Sequence, residues 1–164
     1  MKFYAGIGSR ETPPDILALM TKVAQYLSSQ DYTLRSGGAD GADTAFERGA
    51  GDKKEIYLPW KGFNKSRSQL YNVPEQALLV ASKIHPAWDK CTQAARKLHG
   101  RNILQVLGAD LNTPVEFVLC WTKDGKEIGG TATAMRLARE KEIPVFNFAI
   151  KSDLEKLAPF ALTA

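Results

Sequence analysis

The segment Leu34-Arg35-Ser36-Gly37-Gly38-Ala39-Asp40-Gly41-Ala42-Asp43 constrains the fold more than any other stretch of the chain. An apolar run from Tyr32 to Leu34 gives way to glycines interleaved with two aspartates, and then to Ala45, Phe46 and Ala50 at helical spacing. That order predicts a strand, a tight turn and a helix start. Glycines at such a turn allow positive φ and remove the Cβ atoms that would hold a ligand away from the backbone amides. The first N–H groups of the following helix have no intrahelical partner, and the helix dipole favours an anion in front of them. The segment reads as a phosphate seat. The alternative is a plain strand-to-helix turn in which Asp40 or Asp43 caps the helix.

The same grammar recurs along the chain. Phe3 to Ile7 is a short apolar run closed by Gly6-Ile7-Gly8-Ser9-Arg10; Thr12 is expected to cap a helix that Pro13 and Pro14 open. Ile16, Leu17, Leu19, Met20, Val23, Ala24 and Leu27 form its apolar stripe. A third strand is predicted over Lys54 to Leu58, stopped by Pro59, followed by a long loop from Trp60 to Val73. Helices are predicted from Pro74 to Ile84, from Ala87 to Leu98 leading up to Gly100-Arg101-Asn102, and again over Ile103 to Leu107, followed by a turn at Gly108 to Thr113. Val115 to Trp121 reads as a central strand, and Ile128-Gly129-Gly130-Thr131 as a third glycine turn. A helix over Ala132 to Glu140, a strand over Ile143 to Phe148 and a short terminal helix within Ser152 to Ala164 complete the pattern. Alternating strands and helices predict an α/β fold on a parallel sheet with right-handed crossovers. Residues 1–164 are expected to form a single domain.

In an open parallel sheet, ligands bind at the carboxyl ends of the strands, where neighbouring crossovers leave on opposite faces. All three glycine turns lie just past such a strand end, so topology directs them to one edge. The phosphate-binding candidates are Gly8, Ser9, Arg10, Arg35, Ser36, Gly37, Gly38, Asp40, Gly41, Arg101, Asn102, Gly129, Gly130, Thr131 and Thr133. Their hydroxyls can join backbone amides around phosphate oxygens and their arginines can bind bidentately; the competing roles are helix caps and solvated loop charges. Trp60, Phe63 and Trp121, near Lys61, Lys65 and Arg67, suit a base-stacking platform, or else pin the long loop to the core. Arg101 and Asn102 are read as starting a helix ahead of the central strand.

Composition narrows the chemistry. The 22 basic and 18 acidic residues leave a net charge of +4, which suits a phosphate-bearing ligand without requiring a nucleic acid. Cys91 and Cys120 are the only cysteines, with no CxxC and no His pair at ligand spacing, so neither a metal nor another cofactor is expected. His85 and His99 are expected in surface or packing roles. The first residues run straight into a strand, and no apolar run approaches membrane-spanning length, so a soluble, cytoplasmic protein without membrane partners is expected.

The residues also carry a family likeness. Gly8-Ser9-Arg10, Ser36 to Asp43 with Arg48-Gly49-Ala50, Arg101-Asn102-Ile103, Gly130 to Ala134 with Arg136-Leu137-Ala138, and Ile143-Pro144-Val145-Phe146 occur in the order found in the Rossmann-like domain of the DNA-processing DprA/Smf proteins. The chain resembles that family, and the wider SLOG superfamily that includes the LOG phosphoribohydrolases, from Tyr4 to Phe148. The resemblance implies an α/β fold, a three-layer, Rossmann-like, doubly wound and mainly parallel sheet of about five to six strands. It also implies a partner that is a nucleotide or single-stranded nucleic acid, a homo-oligomer (a dimer), and a place in DNA processing or recombination, with no room for the extra domains often attached in that family. In LOG relatives the third turn carries a Glu that assists N-glycosidic cleavage; the matching position here is Arg136, which cannot act as that carboxylate. Catalysis, if present, falls to Asp40 or Asp43. A nucleoside monophosphate N-glycosidase and a sensor or sponge for a signalling nucleotide are the alternatives.

Overall fold

The computed structural model describes residues 1–162. Five parallel strands, β1 (Lys2–Gly6), β2 (Tyr32–Ser36), β3 (Lys54–Ile56), β4 (Val118–Cys120) and β5 (Val145–Asn147), form one sheet in the order β3-β2-β1-β4-β5. Six helices cover it: α1 (Pro14–Ser29), α2 (Ala42–Ala50), α3 (Glu75–Ile84), α4 (Gln93–Leu107), α5 (Ala132–Glu140) and α6 (Lys151–Leu162). The terminal helix expected within Ser152 to Ala164 is α6, and its expected last two residues lie outside the described ones. Among the described residues no helix is long and apolar enough to cross a membrane.

Two cores explain the layering. Strand residues alternate faces, so Tyr4 and Leu34 pack with Phe46 of α2 and with Met20, Val23 and Ala24 of α1. Ala5 and Ile7 point the other way, to Ile103 and Leu107 of α4 and Met135 and Ala138 of α5. Helices α1, α2 and α6 form one outer layer, and α3, α4 and α5 the other. The register Tyr4↔Leu34 and Ala5↔Val118 places β1 at the centre, buried on both sides.

The chain leaves β1 by α1 on one face and β4 by α5 on the opposite face. This reversal between adjacent strands opens a crevice at their carboxyl ends.

Three local expectations are corrected. Thr12 does not cap α1: its hydroxyl donates to the Ser9 carbonyl at 2.6 Å, and Pro13 occupies the cap position without a side-chain bond. The predicted helix from Ala87 is a single 3₁₀ turn, Trp88–Lys90, and α4 starts afresh where the Thr92 hydroxyl accepts the Ala95 amide at 3.1 Å. Helix α4 then runs through Gly100 without a break, so Arg101 and Asn102 sit mid-helix rather than at a helix start.

Candidate functional site

Where β1 and β4 diverge, a cavity of about 590 Å³ opens, a size typical of small-molecule sites. Its lining comes from all three glycine turns: Ile7 to Glu11 after β1, Ala39, Asp40 and Asp43 after β2, and Ile128 to Thr131 ahead of α5. One wall is the face of α4 that carries Leu98, Arg101, Asn102 and Gln105. Phe63 and Asn64 of the long loop and Thr122 and Lys123 beyond β4 complete it.

The turns are fastened to one another through backbone. Gly41 has φ 83°, and a Cβ there would stand 2.7 Å from the Cα of Arg10; any larger residue would push the first and second turns apart. The Ser9 amide donates to the Trp121 carbonyl at 3.1 Å, tying the first turn to the end of β4. Asn102 Nδ2 donates to the Gly130 carbonyl, which fixes the third turn to α4. Arg101 donates to the Gly37 carbonyl, and only a glycine lets it come so close, because a Cβ on Gly37 would lie 2.5 Å from the guanidinium.

The electrostatics differ from a simple anion seat. The Asp43 carboxylate, buried in the lining, accepts the Ala39 amide at 3.2 Å and is also faced by the amides of Gly8 and Gly37. The amides of the first two turns therefore converge on a carboxylate of the protein itself. Burial pushes the Asp43 carboxyl up to about 6, against the lowering effect of Arg101 and of those amides. Formal charges around the lining cancel: Arg10, Arg101 and Lys123 against Glu11, Asp40 and Asp43.

Attraction for an anion must therefore come from particular donors rather than from a bulk field. Arg101 supplies one: it is 7% exposed, lies 5.4 Å from the Phe63 ring centre, and its Nε has no hydrogen-bond partner. Gln105 supplies another. It is 2% exposed, lines the cavity, and its amide makes no hydrogen bond among the described residues. Buried polar groups are ordinarily satisfied, and the Arg101 Nε, without a partner among the described residues, is an exception behind this wall. The third turn adds the first amides of the α5 end, with open space over both Gly129 and Gly130.

The structure brings together Gly8, Ser9, Arg10, Asp40, Arg101, Asn102, Gly129, Gly130, Thr131 and Phe63, with Asp43, at this cavity. It places other candidates elsewhere. Arg35 is buried beside β3, where it pairs with Glu55 at 3.0 Å, donates to the Thr113 carbonyl and covers the Phe3 ring. The Ser36 hydroxyl is used inside the sheet, donating to the Gly6 carbonyl at 2.6 Å. The Thr133 hydroxyl faces His99 Nδ1 at 2.9 Å and does not line the cavity. Gly37, Gly38 and Gly41 shape the second turn without lining the cavity. Trp121 packs against the core, and Trp60 stands outside, edge-on to Phe63 at 5.5 Å. Arg136, at the position of the LOG glutamate, reaches toward the Glu127 carbonyl and does not line the cavity.

Sequence reasoning missed Gln105 and Thr122. Gln105 stands one helical turn after Arg101, and that spacing within the helix expected to start there is the signal that could have found it. Thr122 lies just past β4, where the strand-end rule points. A cluster with metal-ligand chemistry, His85, Cys91 and His99, lies outside the cavity, and its spacing along the chain gave no sign of it.

No protein-family model and no curated protein matches the chain. Among solved structures, the chain is similar to DNA processing protein A from Helicobacter pylori, described for its single-stranded DNA binding mode. The match has a TM-score of 0.59 at 20% sequence identity and covers 89% of this chain. The chain spans 64% of the length of that protein chain. The likeness establishes a DprA-like fold.

Proposed function

We propose that the cavity binds one nucleotide unit of a single-stranded nucleic acid, with a phosphate near Arg101 and the third glycine turn. The observation that carries this reading is the convergence of three glycine turns on one cavity whose α4 wall carries the Arg101 guanidinium and the Gln105 amide. Phe63 offers a ring at the mouth, and exposed Lys61, Lys65 and Arg67 extend a cationic path along the adjoining loop. The named neighbour's binding of single-stranded DNA supports the choice of partner. A cytoplasmic setting, a role in DNA processing and assembly into a dimer belong to the same reading; exposed Leu79 on α3 offers apolar surface for assembly, to be checked by sedimentation equilibrium.

Because the lining charges cancel, few phosphates are engaged. Binding of a fluorescent single-stranded oligonucleotide should weaken with salt at a log–log slope of about −1 to −2, the value for one to three phosphates. Arg101→Met should lower affinity at least about tenfold, the loss expected for a charge-assisted bond of 1.5–3 kcal/mol. Equal affinity in wild type and this variant would overturn the reading.

A second reading rests on Asp43. A buried carboxyl with pKa near 6, in a cavity, is suited to proton transfer near neutral pH, as N-glycosidic cleavage of a nucleoside monophosphate requires. Incubation with a panel of nucleoside monophosphates tests it: free base, lost in Asp43→Asn, supports cleavage, and intact nucleotide excludes it.

A further inference from the structure

Away from the cavity, the end of α3, the following loop and the middle of α4 bring His85, Cys91 and His99 together. Each offers a ligand atom, all of them within 4.8 Å of one another, and all three residues are half-buried. We propose that they form a zinc site, two imidazole nitrogens and one thiolate, that braces α3 and its loop against α4.

The chemistry suits this ion. Imidazole and thiolate are the ligands that zinc takes in tetrahedral sites, at about 2.0 Å for nitrogen and 2.3 Å for sulfur, which sets ligand atoms roughly 3.3–3.6 Å apart. The cluster is therefore about 1 Å more open than the bound geometry. Side-chain rotation closes that gap. His85 lies side-on to Cys91, with Nδ1 and Nε2 each 3.9 Å from Sγ, and must turn one lone pair toward the ion. Its Nδ1 now accepts the Ala87 amide at 3.0 Å; coordination through Nδ1 returns that exposed amide to water at small cost.

His99 has its outer contact in place. Thr133 Oγ1 stands 2.9 Å from Nδ1, and the tautomer that donates from Nδ1–H leaves the Nε2 lone pair open. Such a partner orients the imidazole of a metal ligand. The cationic surroundings of His99, which include Arg101 and Arg136, oppose a bare divalent ion. The Cys91 thiolate halves the charge, losing a proton and giving up its weak contact with the Ala87 carbonyl at 3.6 Å. Water takes the fourth position. The ion acts as a brace, because its ligands come from the end of α3, the following loop and α4, and none of them lines the cavity.

Cobalt(II) is the probe, since a thiolate bound to it gives a charge-transfer band. Titrated into the reduced full chain, one equivalent should produce that band, and zinc should displace it. Cys91→Ser should abolish the band, His85→Gln and His99→Gln should each weaken binding at least about tenfold, and Thr133→Val should weaken it about tenfold, as loss of an orienting partner does. Cys120→Ser, deep in the core, should keep it. No band in wild type, or a band that survives Cys91→Ser, overturns the proposal. Melting curves without metal show that each variant is folded, and the titration involves no nucleic acid.

Discussion

Asp43 occupies the place where a glycine-turn reading puts the anion of another molecule. Its carboxylate takes amides of the first two turns but does not cap α2, whose cap position is Gly41 without a side-chain bond, so the helix-cap reading of Asp43 is corrected. The linkage follows. The Asp43 pKa is raised from 3.8 to about 6, so the folded state holds this proton more tightly than the unfolded chain. Its contribution to stability is full below about pH 4 and is lost as pH rises through 6, amounting to about 3 kcal/mol for two units. His99 runs in the opposite sense: burial lowers it to about 4, so its contribution is present above 6.5 and lost as pH falls toward 4. Denaturant titrations from pH 4 to 7 should therefore show Asp43→Asn gaining stability relative to wild type as pH rises. A constant difference would contradict the burial-driven shift. An oligonucleotide phosphate near Arg101 opposes the ionised Asp43, so affinity should also increase as pH falls from 7 to 5, since the phosphodiester itself does not titrate there.

At the level of elements, most of the secondary structure was legible because the helical stripes and strand runs are strong, as the stripe from Ile16 to Leu27 shows. Helix α4 was misread at Gly100. That glycine serves contact rather than termination: a Cβ there would stand 2.6 Å from Val73 and 2.9 Å from Leu78, so it lets α4 approach α3. No local signal distinguishes a glycine used for helix packing from one that ends a helix. Arg35 was misassigned for a similar reason. Strand alternation gives its face, but only the tertiary fold supplies Glu55, Thr113 and Phe3 as partners. Arg35→Met should destabilise the chain by about 3 kcal/mol, the low end of the cost of breaking a buried ion pair because Glu55 is 32% exposed, while leaving oligonucleotide affinity unchanged. Gly41→Ala should cost at least about 2 kcal/mol, through strain at positive φ and the backbone contact with Arg10; an unchanged unfolding midpoint would show that the two turns are not locked together.

For the whole molecule, the strand-helix alternation sufficed to put three turns on one edge, because parallel topology leaves them nowhere else to go. The parts that stayed hidden, the donors on α4 and the carboxylate that closes half the seat, depend on side chains meeting across the fold. The account stands on the cavity being a binding site for a nucleic-acid phosphate. Gly130 tests this most directly, since a side chain there meets nothing within 4 Å of protein and would project into free space at the third turn. Oligonucleotide binding by Gly130→Val should fall at least about tenfold, a cost near 1.4 kcal/mol, with the melting temperature unchanged. Affinity equal to wild type in this folded variant would contradict the account.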